Sequence, residues 1–192
     1  AQGVSAESFE TTRLAFCKRI IKTEDKVEDA ITGNSLNIQD QLIFMTAMNV
    51  VEGCNPPEFM AIRDVPALVE LLVMESPKRQ HGTHAAQPVL CRAGPGTGKT
   101  WMIKQSMFLL SINLGDDTEP SSGIRSVPII VFVQRIVRLL RELGDEPSTV
   151  LADPEGMLRW YISNEYANDK ENRLMLLQAY EMRALVCVVD GV

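Results

Sequence analysis

Ala93-Gly94-Pro95-Gly96-Thr97-Gly98-Lys99-Thr100 is the stretch on which the reading of this chain turns. Gly94, Gly96 and Gly98 permit dihedrals that other residues avoid, and they let the backbone aim several N–H groups at one point. That is the geometry a phosphate-binding loop needs. Lys99 then reaches the β- and γ-phosphates of a nucleoside triphosphate, and the Thr100 hydroxyl binds magnesium. Ala93 stands where such a loop has its leading Gly. The flanks fit: Val89-Leu90-Cys91 is a short apolar run before the loop, and Trp101 to Leu114 reads as a helix after it. The positive end of that helix faces the bound anion. The plain alternative is a Gly/Pro turn joining a strand to a helix, and the Gly-Lys-Thr ending between these two flanks argues against it.

Downstream, strand and helix patterns alternate. Val127 to Val133 is a continuous β-branched and aromatic run, as expected of a strand buried on both faces. Gln134 to Leu143 reads as a helix. Asp153-Pro154-Glu155 opens a helical region reaching about Arg183, and Ala184 to Val189 is a further apolar run. This is the α/β alternation that builds a parallel sheet. Leu185-Val186-Cys187-Val188-Val189-Asp190 is a strand ending in a carboxylate, at the carboxyl end of such a sheet. By itself an apolar run followed by Asp-Gly is a strand entering a turn. Paired with the glycine loop, Asp190 becomes the partner of Thr100 in holding magnesium.

Upstream, the first 75 or so residues read as helices. Phe9, Phe16, Cys17, Ile20 and Ile21 recur near the helical period, and Thr32-Gly33-Asn34-Ser35 interrupts the pattern. Ile38, Leu42, Met45, Met48 and Val51 form a second stripe, ended by Gly53 and Asn55-Pro56-Pro57. A third helix begins at Asp64-Val65-Pro66, with Asp as cap and Pro in the first turn, and runs to Met74. Ser76 to Gln87 is a polar connector. His81 and His84 lie in it, but Gly82 separates them and no third ligand accompanies them, so a solvated linker is favoured over a metal site. The expected division is a helical module and linker at 1–80 and a nucleotide-binding domain at 81–192.

Composition limits what else the chain can be. It has 192 residues, 45% hydrophobic and 23% charged, the profile of a globular protein with a sizeable core. Its apolar runs fall far short of the roughly 18 residues that span a bilayer. Net charge is −6, which disfavours nucleic acid as a partner but leaves room for a local pocket for one small polyanion. Cys17, Cys54, Cys91 and Cys187 show neither a CxxC pair nor zinc spacing, and a reducing, cytoplasmic setting is expected. Residue 1 is Ala and no signal or transit pattern follows, so a processed product or a piece of a longer chain is expected. Arg135, Arg138 and Arg141 share one helix face, read as solvated. Trp101 and Trp160-Tyr161 are read as packing between helix and sheet. No Ser/His/Asp or Cys/His set can be assembled, because both histidines lie in the linker.

The loop AGPGTGKT, the segment VPIIVFVQRIVRLLRE and the terminal ALVCVVDGV together resemble the NACHT-type signalling ATPases, within the signal-transduction NTPases with numerous domains. The resemblance covers about residues 88 to 192. The loop alone is equally similar to superfamily-one helicases and hexameric ATPases. Those families usually carry Glu directly after the strand Asp, whereas NACHT domains have Asp-Gly, one more residue, then Asp-Glu, and Asp190-Gly191 fits the latter. The resemblance implies a P-loop NTPase sheet preceded by a helical module. It also implies ATP or GTP bound with Mg2+, the backbone of Gly94, Pro95, Gly96, Thr97, Gly98, Lys99 and Thr100 around the phosphates, and Thr100 with Asp190 at the metal. In the family, nucleotide state governs self-association. The second acidic pair and a fourth strand, which sits between the loop-bearing strand and the Asp190 strand, are expected beyond Val192. Until then the sheet is incomplete and hydrolysis depends on that missing sequence. Two other readings stand beside this one: a structural scaffold with a relic loop, and a helicase or motor fragment, which Gly191 argues against.

Overall fold

The computed structural model describes residues 4–28, 33–38, 47–50, 59–62, 64–74, 98–115, 126–144, 150 and 152–191. The chain divides into two compact units, one of residues 1–22 with 111–192, the other of residues 23–110.

The first unit is an α/β arrangement around a parallel strand pair. β5 (Val127–Phe132) and β6 (Leu185–Asp190) run side by side, with Val127 opposite Leu185 and Phe132 opposite Asp190. Parallel neighbours need a crossover. Here it contains α4 (Val133–Leu143), α5 (Pro154–Glu165) and α6 (Lys170–Glu181). β5 passes into α4 with no intervening loop. Val127, Ile129 and Val131 are buried, and they share a core with Ile136, Leu139 and Leu140 of α4, Tyr161 and Ile162 of α5, and Met175, Leu176 and Ala179 of α6. Helix starts are written locally. Asp153 accepts from the Gly156 N–H at 2.9 Å with Pro154 in the first turn, and Asp169 accepts from the Asn172 N–H at 3.2 Å. The exit of α6 is a left-handed turn at Arg183 (φ 54°), closed by the Ala184 N–H on the Ala179 carbonyl at 2.8 Å. That turn sends the chain straight into β6.

α1 (Ala6–Glu24) brings Phe9 and Phe16 into the same core, and its Cys17 is buried as well. Arg13 lies on that buried face with none of its surface exposed, where the stripe of Phe9, Phe16 and Cys17 leads one to expect an apolar residue. Its guanidinium pairs with Glu10 and donates to the Leu114 carbonyl in the last turn of α3 (Lys99–Gly115). Arg13 thereby serves one of the carbonyls that a helix end leaves without a partner. The same turn is tight: a Cβ on Gly115 would stand 3.3 Å from the Cys17 Cβ.

The second unit corrects the expectation of helices throughout the first 75 residues. β1 (Lys26–Glu28) pairs antiparallel with β2 (Ser35–Asn37), with Gly33 at φ 68° before β2. β3 (Ala47–Val50) pairs antiparallel with β4 (Phe59–Ile62), Ala47 opposite Ile62 and Val50 opposite Phe59. The stripe through Met45, Met48 and Val51 was to be a helix, yet residues 47–50 are extended. An antiparallel partner satisfies their backbone groups, and that long-range pairing overrides a weak helical period. α2 (Val65–Met74) forms as expected, with Asp64 accepting from the Ala67 N–H at 2.9 Å. Val65, Leu68 and Val69 are buried in α2, as are Met102, Ile103, Met107, Phe108 and Leu110 in α3. α3 contributes residues 99–110 to this unit and 111–115 to the other.

Candidate functional site

Of the loop read as a phosphate cradle, Gly94, Pro95, Gly96 and Thr97 lie outside the described residues, as does the Val89-Leu90-Cys91 run. The end of the motif is described. Gly98 has φ 81°, in the left-handed region, and its carbonyl accepts from the Met102 N–H at 2.9 Å. α3 therefore starts at Lys99, in the last residues of the motif. A non-glycine residue at Gly98 would be strained. A left-handed residue just before a helix is also the conformation that turns successive N–H groups to one side, as in backbone anion nests. The first turn of α3 carries no acidic residue, so nothing in it neutralises the positive end of the helix. Lys99 is half-buried and Thr100 exposed.

Asp190 is the last residue of β6, half-buried, opposite Phe132 at the carboxyl end of the parallel pair. Its neighbour has a specific spatial role. A Cβ at Gly191 would meet the Val133 Cγ2 at 2.3 Å and its Cβ at 2.8 Å. The backbone after Asp190 thus runs against the first residue of α4, a path open only to glycine. Sequence reading used the Asp-Gly pair as a family mark; its packing cause is visible only in the fold.

Gly98, Lys99 and Thr100 belong to one unit and Asp190 to the other. As donors, a threonine hydroxyl and a carboxylate are hard oxygen ligands. Mg2+ takes such ligands with one or two carboxylates, keeping waters and substrate phosphates for its other positions. Among the described residues no three His, Cys, Asp or Glu side chains converge as a metal cage, so an all-protein site of that kind is not built from them.

A second polar group at the carboxyl end of β5 escaped the sequence reading. Arg135, in the first turn of α4, pairs through Nε with Glu165 in the last turn of α5 at 2.5 Å. Each charge sits at the end of its helix where the dipole opposes it, and the pair relieves both. Burial, with the Glu165 carboxylate beside it, raises the Tyr161 phenol above its ordinary range. Phe132 itself offers α4 no side-chain cap. An N-cap signal is therefore missing from the sequence at this helix start.

Arg138 pairs with Glu142 at 3.7 Å on the outer face of α4, in keeping with a solvated arginine face. Tyr161 is buried and Trp160 packs against the core. Cys17 and Cys187 are free thiols, while Cys54, Cys91, His81 and His84 lie outside the described residues. Among the described residues no helix is long and apolar enough to cross a membrane. No protein-family model, curated protein or solved structure matches this chain.

Proposed function

We propose that this chain binds a nucleoside triphosphate, ATP or GTP, with Mg2+, as the switch domain of a NACHT-like P-loop NTPase. The observation that carries the reading is the start of α3: the motif's last glycine is left-handed and the helix begins on the Lys-Thr that follows it. A chance Gly-Pro turn has no need of that conformation beside a lysine and a hydroxyl. The strand order adds support. In the family the fourth strand lies between the loop-bearing strand and the Asp190 strand. β6 pairs in parallel with β5, an arrangement compatible with that order.

The roles follow from residue chemistry. The backbone of Gly94, Pro95, Gly96, Thr97 and Gly98 wraps the phosphates, and the N-terminus of α3 adds its dipole. Lys99 supplies a point charge to the β- and γ-phosphates, while Thr100 and Asp190 would hold the metal. Magnesium, when bound, neutralises phosphate charge and fixes the orientation of the triphosphate. Hydrolysis requires a carboxylate that positions water, which the family supplies in the acidic pair after Asp-Gly. Self-association under nucleotide control is the family's use of such a switch, a shift in populations driven by differential binding.

Equilibrium binding of labelled ATP and GTP with Mg2+ tests the reading. The wild type retains one of them, and Lys99→Ala loses it by at least about a hundredfold, on the scale of a charge-assisted contact in a phosphate site. Retention by Lys99→Ala at wild-type affinity would refute the assignment. No retention by the wild type would favour a scaffold with a relic loop.

A further inference from the structure

The helix that begins at the loop has a peculiarity of its own. Gln105, Ser106 and Ser111 on α3 expose 0%, 3% and 0% of their surface, and among the described residues none of their side-chain polar atoms has a hydrogen-bond partner. The indole N–H of Trp101, one turn before Gln105, is likewise buried and unpartnered. Gln105 is the extreme case, because a carboxamide brings two N–H donors and an oxygen with two lone pairs. A serine within a helix commonly donates back to the carbonyl four residues earlier. Ser163 does so to Arg159 at 2.9 Å; Ser106 and Ser111 do not.

Packing does not call for polar groups at these positions. Met102, Ile103, Met107, Phe108 and Leu110 on the same helix are apolar and buried. Interior polar groups are ordinarily paired. Each one left unpaired shifts an equilibrium away from that arrangement by roughly 5- to 150-fold. A helix with several such groups gains free energy from any small rotation or slide that brings them to partners. Packed interfaces of this kind tend to have discrete positions rather than continuous ones.

We propose that α3 has a second position, adopted when the phosphate loop is loaded, in which Gln105 and Ser106 acquire hydrogen-bond partners. α3 is then the moving part of the switch. This inference rests on the nucleotide reading above. Lys99 and Thr100 form the first turn of the same helix. Whatever favours the second position therefore strengthens nucleotide binding, and by linkage nucleotide favours that position equally.

Gln105→Met, which nearly conserves volume, removes the incentive to move. In the full chain it is expected to raise the melting temperature of the nucleotide-free protein and to weaken binding of the Mg-nucleotide about tenfold. Amide exchange across residues 102–110 of the wild type should also change on adding Mg-nucleotide. Ser106→Ala, expected to weaken binding about threefold to fivefold, carries the same test if Gln105→Met does not fold. Affinity at or above the wild-type value in the folded variant overturns the proposal, because the carboxamide is then served equally in both states, by interior water. Absence of any nucleotide binding by the wild type overturns both the inference and the reading beneath it. Normal wild-type binding with an indifferent variant overturns the inference alone.

Discussion

Gly191 shows how one residue ties a candidate ligand to the fold. The atoms of Val133 occupy the space a side chain would need, so Gly191→Ala must displace either α4 or the strand end that carries Asp190. Overpacking of this kind costs about 1–3 kcal/mol. Urea unfolding of Gly191→Ala should show a loss in that range, and its Mg-nucleotide affinity should fall as well. An unaltered denaturation midpoint would mean that Val133 yields freely. Gly98 is constrained differently, by its dihedral rather than by space. Both glycines stand out in the sequence, but the reasons differ, and only coordinates separate a conformational glycine from a steric one. Arg135 makes the complementary point. Sequence periodicity assigned it to a solvated face with Arg138 and Arg141, whereas its ion pair with Glu165 joins two helix ends. Being partly exposed, that pair contributes about 0–1 kcal/mol, so it fixes geometry more than stability.

At the scale of elements, the segments with strong local signals came out where the residues indicated. α2, α4 and β5 have the expected bounds within a residue or two, because a cap, an apolar stripe or a β-branched run decides each of them locally. α5 is the clearest case. Asp153 caps it, and Gly156 lets the carboxylate approach, since a Cβ there would lie 2.4 Å from Asp153 Oδ2. Asp153→Ala should lower stability by about 1 kcal/mol, and Asp153→Ser should recover most of it. Thermal unfolding followed by circular dichroism checks both, and equal midpoints for Asp153→Ala and wild type would contradict the cap assignment. The four short strands between α1 and α2 were illegible for the opposite reason. β3 and β4 are four residues each, and their pairing partners are separated by sequence that carries no period. A strand of that length is specified by what lies across from it.

For the molecule as a whole, burial of tyrosines in the first unit makes stability depend on pH in the alkaline range. Burial raises Tyr161 and pushes Tyr166 up to about 12. An unfolded tyrosine loses its proton near pH 10. Between roughly pH 10 and 12 the unfolded chain therefore binds fewer protons than the folded one, and stability falls as pH rises. Urea titrations at pH 9 and 11 should show this loss, and Tyr166→Phe should reduce it; an equal loss in that variant would mean that other groups dominate. The general α/β character, the helix after the glycine loop, and the strand ending in Asp190 were determined by the sequence itself. Each is encoded within a few neighbouring residues, through glycine dihedrals, β-branched runs and capping side chains. The direct adjacency and register of β5 and β6, the hairpins of the second unit, the buried Arg13 on the end of α3 and the unspent polar groups of Gln105, Ser106 and Ser111 were decided by tertiary structure alone. These depend on which surfaces meet across long separations, and neither a residue's type nor its local spacing carries that information.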